Sequence, residues 1–269
     1  TPLYSSAASD VYKRQPPTPT ERLRIMHWNV GWSHPVEVAD SIIARQADLV
    51  IVVNPLTRTD LAWDFTTLGQ RMGEGTRVIR DWPINVLSRF PIRRWGVTEL
   101  GFTARVNVLE EIRSTTESTP IDPGHAMFVE LEAGPPMSRP LVVWIIDLPS
   151  DPLLHRAALA RQARQRIEAW IGPNAQRFPE PDILIGDFNI PARSASLSQL
   201  RRRPGYLMQD AHALAGVGPD GTYQLSGLRR SVWLHIDQCF VKPGLNVARY
   251  SIQDGGDTRH LMQVVDLVP

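Results

Sequence analysis

The first residues with a regular apolar pattern predict a strand, a helix and a second strand. Residues 23–30 form a short apolar run, residues 34–46 repeat apolar side chains at helical spacing, and residues 47–54 are almost continuously apolar. A short apolar run between breakers is typical of an interior strand, whereas apolar positions three or four residues apart indicate an amphipathic helix. This order predicts a β-α-β unit at the start of the fold.

The rest of the chain continues this alternation and then becomes rich in strands. The longest helix is expected over residues 153–171, with Leu154, Ala158, Ile167 and Trp170 facing inward. The other expected elements are two short strands in 76–92 broken at Pro83, a strand pair around 95–108, a loop over 117–125, strands over 126–134, 141–147 and 183–187, a short helix over 196–203, a loop to 231, and strands over 234–241, 246–253 and 261–267.

Helices between the early strands and strand pairs late in the chain suggest two packed mixed β-sheets with helices outside. We therefore predict the α/β class, as a four-layer α/β sandwich. No shift in composition marks a linker and no repeat is visible, so residues 21–269 are expected to form one domain.

Composition and charge exclude several classes of protein. The chain has 269 residues, of which 42% are hydrophobic, and 29 basic against 28 acidic residues give a net charge of +1. A nearly neutral chain is not a general binder of polyanions, so any contact with nucleic acid would be local. No apolar run reaches the length of roughly 20 residues that a membrane span needs. The single cysteine, Cys239, excludes a disulfide within the chain and a zinc site built from cysteines.

The first 20 residues are set apart from the fold. They show no apolar period and no signal-peptide core, and they end in a segment rich in Pro and Thr. Part of the segment is similar to a translated sequencing adaptor. We expect residues 1–20 to be disordered or artefactual, with the true N-terminus missing, and no localisation is assigned.

The stretch "ILIGDFNIP", residues 183–191, places candidate chemistry at the end of a strand. Three apolar residues of an interior strand are followed at once by Gly and Asp, with Asn two residues later, and open α/β sheets bind ligands at the carboxyl ends of their strands. Asp and Asn are also common in turns and at helix caps, so this stretch alone leaves both interpretations open.

Further segments extend the pattern along most of the chain. "MHWNVG", "NVLSRFPI", "LIGDFNIPARSASL", "HIDQCFV" and "DTRHLMQVVDL" occur in this order between about residues 23 and 267. Together they resemble the signature of the endonuclease/exonuclease/phosphatase superfamily, which includes pancreatic deoxyribonuclease-like nucleases and inositol-polyphosphate phosphatases.

The resemblance implies roles for five residues. In this family a water beside a divalent metal attacks a substrate phosphate, and the Asp of GDFN, here Asp187, orients or deprotonates that water. Asn189 and His260 would contact the phosphoryl group, Asp237 would steady His260, and Asn29 would contribute to the metal and phosphate shell. This set suits the chemistry, because an amide donates hydrogen bonds to a phosphate without adding negative charge and a carboxylate behind an imidazole favours its protonated form.

Three positions depart from the family pattern. Asn54 stands where the family usually has the Glu that is its principal magnesium ligand, Asp147 stands in place of a His, and Arg259 replaces an Asp before His260. An amide oxygen is a weaker ligand for a hard cation than a carboxylate. Asp257 could replace the lost carboxylate only if a bulge changed its direction.

Two hypotheses follow from these departures. In a rewired site, Asp147 supplies the missing carboxylate and Arg259 provides positive charge for the phosphate. Asn29, Asn54 and Asp147 then hold Mg²⁺ or Mn²⁺, and the protein hydrolyses a phosphodiester or phosphomonoester. In a degenerate member, metal binding is lost and the domain binds a ligand or another protein. We expect a monomer with a phosphoester substrate.

The other histidines show no metal-like spacing and are interpreted as structural or surface residues: His27, His34, His125, His155, His212 and His235.

Overall fold

The computed structural model describes most of the chain from Arg22 to the last residue. The described residues are 22–31, 35–55 (backbone alone for 35–38), 63–102, 122–135, 137–151, 154–218, 220–224, 233–256 and 258–269. Residues 1–20, the second half of the expected strand pair around 95–108, and Asp257 lie outside this set.

Seventeen strands and five α-helices are present in the described residues. The strands are β1 (Leu23–Asn29), β2 (Leu49–Val53), β3 (Arg77–Asp81), β4 (Ile84–Ser88), β5 (Ile92–Glu99), β6 (His125–Leu131), β7 (Leu141–Asp147), β8 (Ile183–Asp187), β9 (Arg202–Arg203), β10 (Tyr206–Leu207), β11 (Gln209–Asp210), β12 (Gly216–Val217), β13 (Tyr223–Gln224), β14 (Trp233–Leu234), β15 (Asp237–Val241), β16 (Asn246–Gln253) and β17 (Met262–Val268). The helices are α1 (Pro35–Ala44), α2 (Phe65–Met72), α3 (Arg156–Ala169), α4 (Ser198–Arg201) and α5 (Ala211–Ala215), with 3₁₀ turns at Pro173–Ala175 and Ala195–Leu197.

Most strands belong to two mixed sheets. The first sheet has the order β12-β16-β17-β1-β2-β4-β3, and the second has the order β11-β15-β8-β7-β6-β5. In the first sheet β1 and β2 run parallel, and in the second β7 and β8 run parallel. The carboxyl ends of these two pairs carry five of the candidate residues of the sequence analysis: Asn29, Asn54, Asp147, Asp187 and Asn189. Asp237 begins β15 and His260 precedes β17.

The two sheets pack face to face across the main hydrophobic core. Alternate residues of each strand point to opposite faces, so Ile25 of β1 and Ile185 of β8 enter the same buried cluster. The outer face of the second sheet is covered by α3, and α2 with the end of α1 covers the outer face of the first. Strands that are buried on both faces read as continuous apolar runs, which explains the sequence pattern. The predicted four-layer α/β sandwich is confirmed.

Several local expectations need correction. Helix α3 buries Leu159, Ala160, Ala163 and Ile167, whereas Ala158, expected to face inward, is exposed because it lies on the opposite side of that stripe. Helix α2 was not expected; it begins after Asp64, whose carboxylate accepts hydrogen bonds from the backbone N–H groups of Thr66 and Thr67. The expected loop up to residue 231 contains several short strands and α5. None of the described helices is both long and apolar enough to cross a membrane.

Candidate active site

Four polar side chains stand in one row across the second sheet. In the strand register, His125 on β6 is paired with Asp147 on β7, Asp147 with Asp187 on β8, and Asp187 with Asp237 on β15. Residues paired in this way point to the same face, which here is the face that meets the first sheet. The three Asp residues are at most 1% exposed. Three carboxyl groups are therefore buried side by side at the end of the apolar core.

The first sheet adds two asparagines to this row. Asn29 ends β1, and its Nδ2 donates a hydrogen bond to Asp187 Oδ2 at 2.9 Å. Asn54 directly follows β2, and its Nδ2 donates to Asp147 Oδ2 at 3.3 Å. Because β1 and β2 are parallel neighbours, their ends bring both amides to the same edge of the sandwich. Each amide thus holds one carboxylate of the opposite sheet.

His260 lies against two of the carboxylates. Its Nδ1 is 2.9 Å from Asp237 Oδ2 and 3.8 Å from Asp187 Oδ2. Thr222 supports this arrangement, because its Oγ1 accepts hydrogen bonds from the backbone N–H groups of Ile236 and Asp237. No hydrogen bond from Nε2 of His260 to another described residue is present. That nitrogen is therefore available to a bound group.

Asn189 is held by the strand end that carries Asp187. Its backbone N–H donates to Asp187 Oδ1 at 2.9 Å, and its Nδ2 donates to the carbonyl of Leu148 at 2.6 Å. The second Nδ2 proton and Oδ1 have no such partner among the described residues. The amide is thus fixed in direction by one bond and keeps one donor for a ligand.

Burial and mutual repulsion change the titration of these groups. Burial, together with the neighbouring Asp187, raises the pKa of Asp147 well above its usual range. Burial and the Asp237 carboxylate raise the pKa of Asp187 to about 7, against the opposing effects of His260, Asn189 and Asn29. Burial alone would lower the pKa of His260, but the carboxylates of Asp237 and Asp187 raise it to about 9. His260 is therefore protonated near neutral pH.

The donor set fits a divalent cation. Asp187 and Asp237 offer carboxylate oxygens within 4.8 Å of each other, and Asp237 Oδ1 is buried without a hydrogen-bond partner among the described residues. The protonated His260 beside them is a hydrogen-bond donor and not a ligand. Among the described residues, Asp147 forms no ion pair. Three buried carboxyl groups therefore have one cationic neighbour, the imidazolium of His260. Isolated buried charges are costly, whereas carboxylate and amide oxygens suit Mg²⁺ and similar hard cations. The carboxylates could thus hold a metal.

All seven residues selected from the sequence come together at this edge: Asn29, Asn54, Asp147, Asp187, Asn189, Asp237 and His260. Arg259 is exposed, so most of its side chain lies in solvent and not among the buried carboxylates. Its backbone carbonyl accepts a hydrogen bond from the N–H of Gln224. The residue that departs most from the family pattern therefore does not occupy the space beside Asp147 and Asp187.

Four residues of the site were not selected from the sequence. His125 extends the carboxylate row, and Trp82 packs edge to face on its ring with 5.8 Å between centroids. Thr222 anchors the start of β15, and the Tyr223 ring lies 4.7 Å from that of His260. The pairing of His125 with Asp147 followed from strand register, which sequence alone did not provide. Thr222 and Tyr223 were hidden because their segment carries no motif and was interpreted as a loop.

The comparisons with known proteins agree with this fold. By structure, the chain is similar to the mannosyl-6-phosphatase of Bacteroides thetaiotaomicron VPI-5482 (16% identity, TM-score 0.63, covering 92% of this chain and 100% of that chain). It is also similar to humanized D. rerio TDP2 (14% identity, TM-score 0.61, covering 92% and 99%). A third similar structure is an endonuclease/exonuclease/phosphatase family protein from Bacteroides thetaiotaomicron (13% identity, TM-score 0.62, covering 92% and 97%). At such identities these similarities show the fold alone.

No curated protein matches the chain by sequence. The family model described as Endonuclease/Exonuclease/phosphatase family, in contrast, matches residues 26–260, a span that begins in β1 and ends at His260. Because this match covers most of the chain and every candidate residue, the protein belongs to the endonuclease/exonuclease/phosphatase family, which includes metal-dependent nucleases and phosphatases.

Proposed function

We propose that this protein is a metal-dependent phosphoester hydrolase with a rewired metal site. The observation that carries the proposal is the row of buried Asp147, Asp187 and Asp237 at the edge where His260 meets them. Burying three carboxylates costs free energy that a folding role does not repay. Perturbed carboxylates grouped with a cationic imidazole are typical of a catalytic site.

Asp147 and the Oδ1 atom of Asn54 are the groups that would hold Mg²⁺ or Mn²⁺. Asn54 Nδ2 is directed at Asp147, which leaves its oxygen as the ligand atom. Asn29 keeps Asp187 in place, since its Nδ2 donates to Asp187 Oδ2 and its Oδ1 accepts from the N–H of Gly31. When bound, the metal would neutralise developing charge and lower the pKa of water. In this arrangement Asp147 supplies the carboxylate that the family usually has at position 54.

The other side chains would bind and orient the phosphate. Asp237 holds Nδ1 of His260, so the imidazolium presents Nε2 to a phosphoryl oxygen. Asn189 contributes its remaining amide proton. Asp187, whose raised pKa lies near neutrality, orients the attacking water and accepts its proton. Donors fixed before the substrate arrives stabilise the charge that develops in the transition state.

The substrate class is a phosphodiester or phosphomonoester of modest size. One structurally similar protein is named a mannosyl-6-phosphatase. The net charge of +1 favours a small ester over a long nucleic acid, whose binding depends on many phosphate contacts. Small esters are therefore the substrates to test first.

The test is hydrolysis of bis(4-nitrophenyl) phosphate and of 4-nitrophenyl phosphate by the metal-free full chain, with Mg²⁺, Mn²⁺ or chelator added. We expect metal-dependent turnover that falls roughly 10²- to 10⁴-fold in Asp187→Asn, because the variant keeps the shape and loses the base. Arg93→Gln, which changes an exposed residue at the end of the β5–β6 pair opposite His125, should retain turnover.

Metal-dependent turnover that survives in Asp187→Asn would contradict the assigned role of Asp187. If neither ester is hydrolysed and Mg²⁺ and Mn²⁺ leave the melting temperature unchanged, the degenerate binding module is the better interpretation. The departures at Asn54, Asp147 and Arg259 are the observation that favours that second candidate.

A further inference from the structure

A second group of metal-ligating side chains lies outside the carboxylate row. It consists of His212 on α5, Asp220 in the segment before β13, and His235 just before β15. Nδ1 of His235 is 2.6 Å from Asp220 Oδ1, and Nδ1 of His212 is 3.9 Å from the same oxygen. One ligand atom from each residue falls within 4.8 Å of the others. Residues distant in sequence thus direct two imidazoles at one carboxylate.

Among the described residues, one nitrogen of these two rings, Nδ1 of His235, has a hydrogen-bond partner, which is Asp220 Oδ1. His235 is 8% exposed, and the Nε2 atoms of both His212 and His235 are buried without a partner among the described residues. The 3.9 Å distance from His212 to Asp220 is too long for a hydrogen bond. Since a buried polar group without a partner costs free energy, His212 needs a further interaction to account for its position.

A metal ion accounts for this arrangement. For metal-to-ligand distances of about 2.0–2.2 Å in a tetrahedral site, two ligand atoms lie roughly 3.4 Å apart. The 3.9 Å separation of His212 Nδ1 from Asp220 Oδ1 is within about 0.5 Å of that value, whereas the 2.6 Å contact of His235 with Asp220 is a hydrogen bond that a bound ion would replace. Two imidazoles and one carboxylate match a common ligand set of Zn²⁺, with the fourth position left to water.

We propose that His212, Asp220 and His235 form a binding site for Zn²⁺ or a similar transition metal, separate from the carboxylate row. Arg193 contacts the other carboxylate oxygen, with its Nη2 3.7 Å from Oδ2, and therefore leaves Oδ1 for the ion. The Tyr250 ring packs edge to face against His212, with 5.3 Å between centroids, and limits the motion of that ligand. Asp220 is exposed, so the ion can enter from solvent.

The site would fix the position of Asp237. Asp220 lies two residues before Thr222, whose Oγ1 accepts the N–H of Asp237, and His235 lies two residues before Asp237 itself. A metal joining positions 220 and 235 would clamp the base of the β13–β14 pair, where Thr222 N–H donates to the carbonyl of Leu234 at 3.0 Å. A bound ion would therefore stabilise the segment that holds Asp237 against His260.

The experiment titrates the metal-free full chain with Co²⁺ alone, whose visible absorption reports tetrahedral binding, and then displaces it with Zn²⁺. The titration is repeated for His212→Gln and Asp220→Asn, and for Asp187→Asn and His155→Asn as controls. Asp187→Asn alters the other cluster, and His155→Asn changes a histidine that caps α3 for a residue that also caps helices. Melting temperature with and without Zn²⁺ supplies a second readout for each protein.

We expect the tetrahedral Co²⁺ spectrum in the wild type and in both controls, and at least a tenfold weaker affinity in His212→Gln and Asp220→Asn. Zn²⁺ should raise the melting temperature of the wild type and the controls but not of the two site variants. A Co²⁺ spectrum that persists in both site variants, or that is absent from the wild type, would overturn the proposal. Loss of the spectrum in Asp187→Asn alone would assign the ion to the carboxylate row instead.

Discussion

Two asparagines beside the buried carboxylates, Asn54 and Asn189, have a backbone conformation that few residues adopt. Asn54 has φ of 54° and Asn189 has φ of 47°. Residues with side chains other than Asn and Asp are strained in this left-handed region. At position 54 this conformation suits Asn better than a long Glu. The proposed function therefore assigns the missing carboxylate to Asp147, on β7 of the opposite sheet.

This conformation gives a prediction for Asn54→Asp. The new carboxylate tolerates the same φ and stands beside Asp147, so Mg²⁺ affinity should rise about tenfold, since affinity for hard cations follows ligand charge. In chelator the unfolding free energy should fall on the order of 1 kcal/mol, because an unpaired negative charge is added. Isothermal titration with Mg²⁺ and urea denaturation in chelator measure the two effects.

Asn54→Gly is the control, because glycine also accepts a positive φ but provides no ligand atom. Its Mg²⁺ affinity should fall below that of the wild type. Equal affinities in the wild type and both variants would show that position 54 does not contact the metal.

At the scale of elements, the parallel pairing of β7 with β8 decides where Asp147 and Asp187 lie. Gly186 precedes Asp187 and has φ of 154°. A Cβ atom at this position would lie 1.9 Å from the carbonyl oxygen of Ile146, far inside contact distance. The close approach of the two strands therefore requires glycine, and it places the neighbouring carboxyl groups side by side.

We expect Gly186→Ala to lower the unfolding free energy by about 3 kcal/mol or more, because the two strands must separate or bend. Gly244→Ala is the matched control: Gly244 also has a positive φ, 91°, but a Cβ there would meet no atom within 4 Å. That variant should lose only about 1 kcal/mol from backbone strain. Urea denaturation compares them, and equal losses would mean that strand contact contributes nothing.

At the scale of the whole molecule, the two sheets share one core. Cys239 on β15 belongs to the cluster between the sheets and is 2% exposed. Burial raises the pKa of its thiol, which suppresses the reactive thiolate. Opening of the sandwich should therefore be required before this cysteine reacts.

We predict that a disulfide reagent labels Cys239 only over the urea range in which tryptophan fluorescence reports unfolding. Coincident transitions are expected for a single cooperative domain, as the sequence predicts for residues 21–269. The rate of Cys239 labelling, measured as a function of urea concentration, tests both points. Rapid reaction in the absence of urea would contradict burial of the thiol, and two separated transitions would contradict the single domain.

Strand patterns gave the fold class because the inner strands are buried on both faces and therefore read as continuous apolar runs. Helix α2 escaped prediction because its cap residue and short apolar stripe are weak local signals. The prediction of a loop up to residue 231 was wrong for a related reason. Strands of two residues are defined only by pairing with distant segments, which the local sequence does not show.

The sequence by itself determined the family, the order of the main strands and the identity of the seven candidate residues, because each of these depends on local pattern and motif spacing. Tertiary structure alone decided that Asp147 neighbours Asp187, that Arg259 is exposed, and that His212, Asp220 and His235 meet. These facts depend on strand register and on contacts between distant segments. Spacing along a chain does not encode such distances, so His212 and His235, interpreted from the sequence as structural or surface residues, are proposed as metal ligands only on the basis of the folded structure.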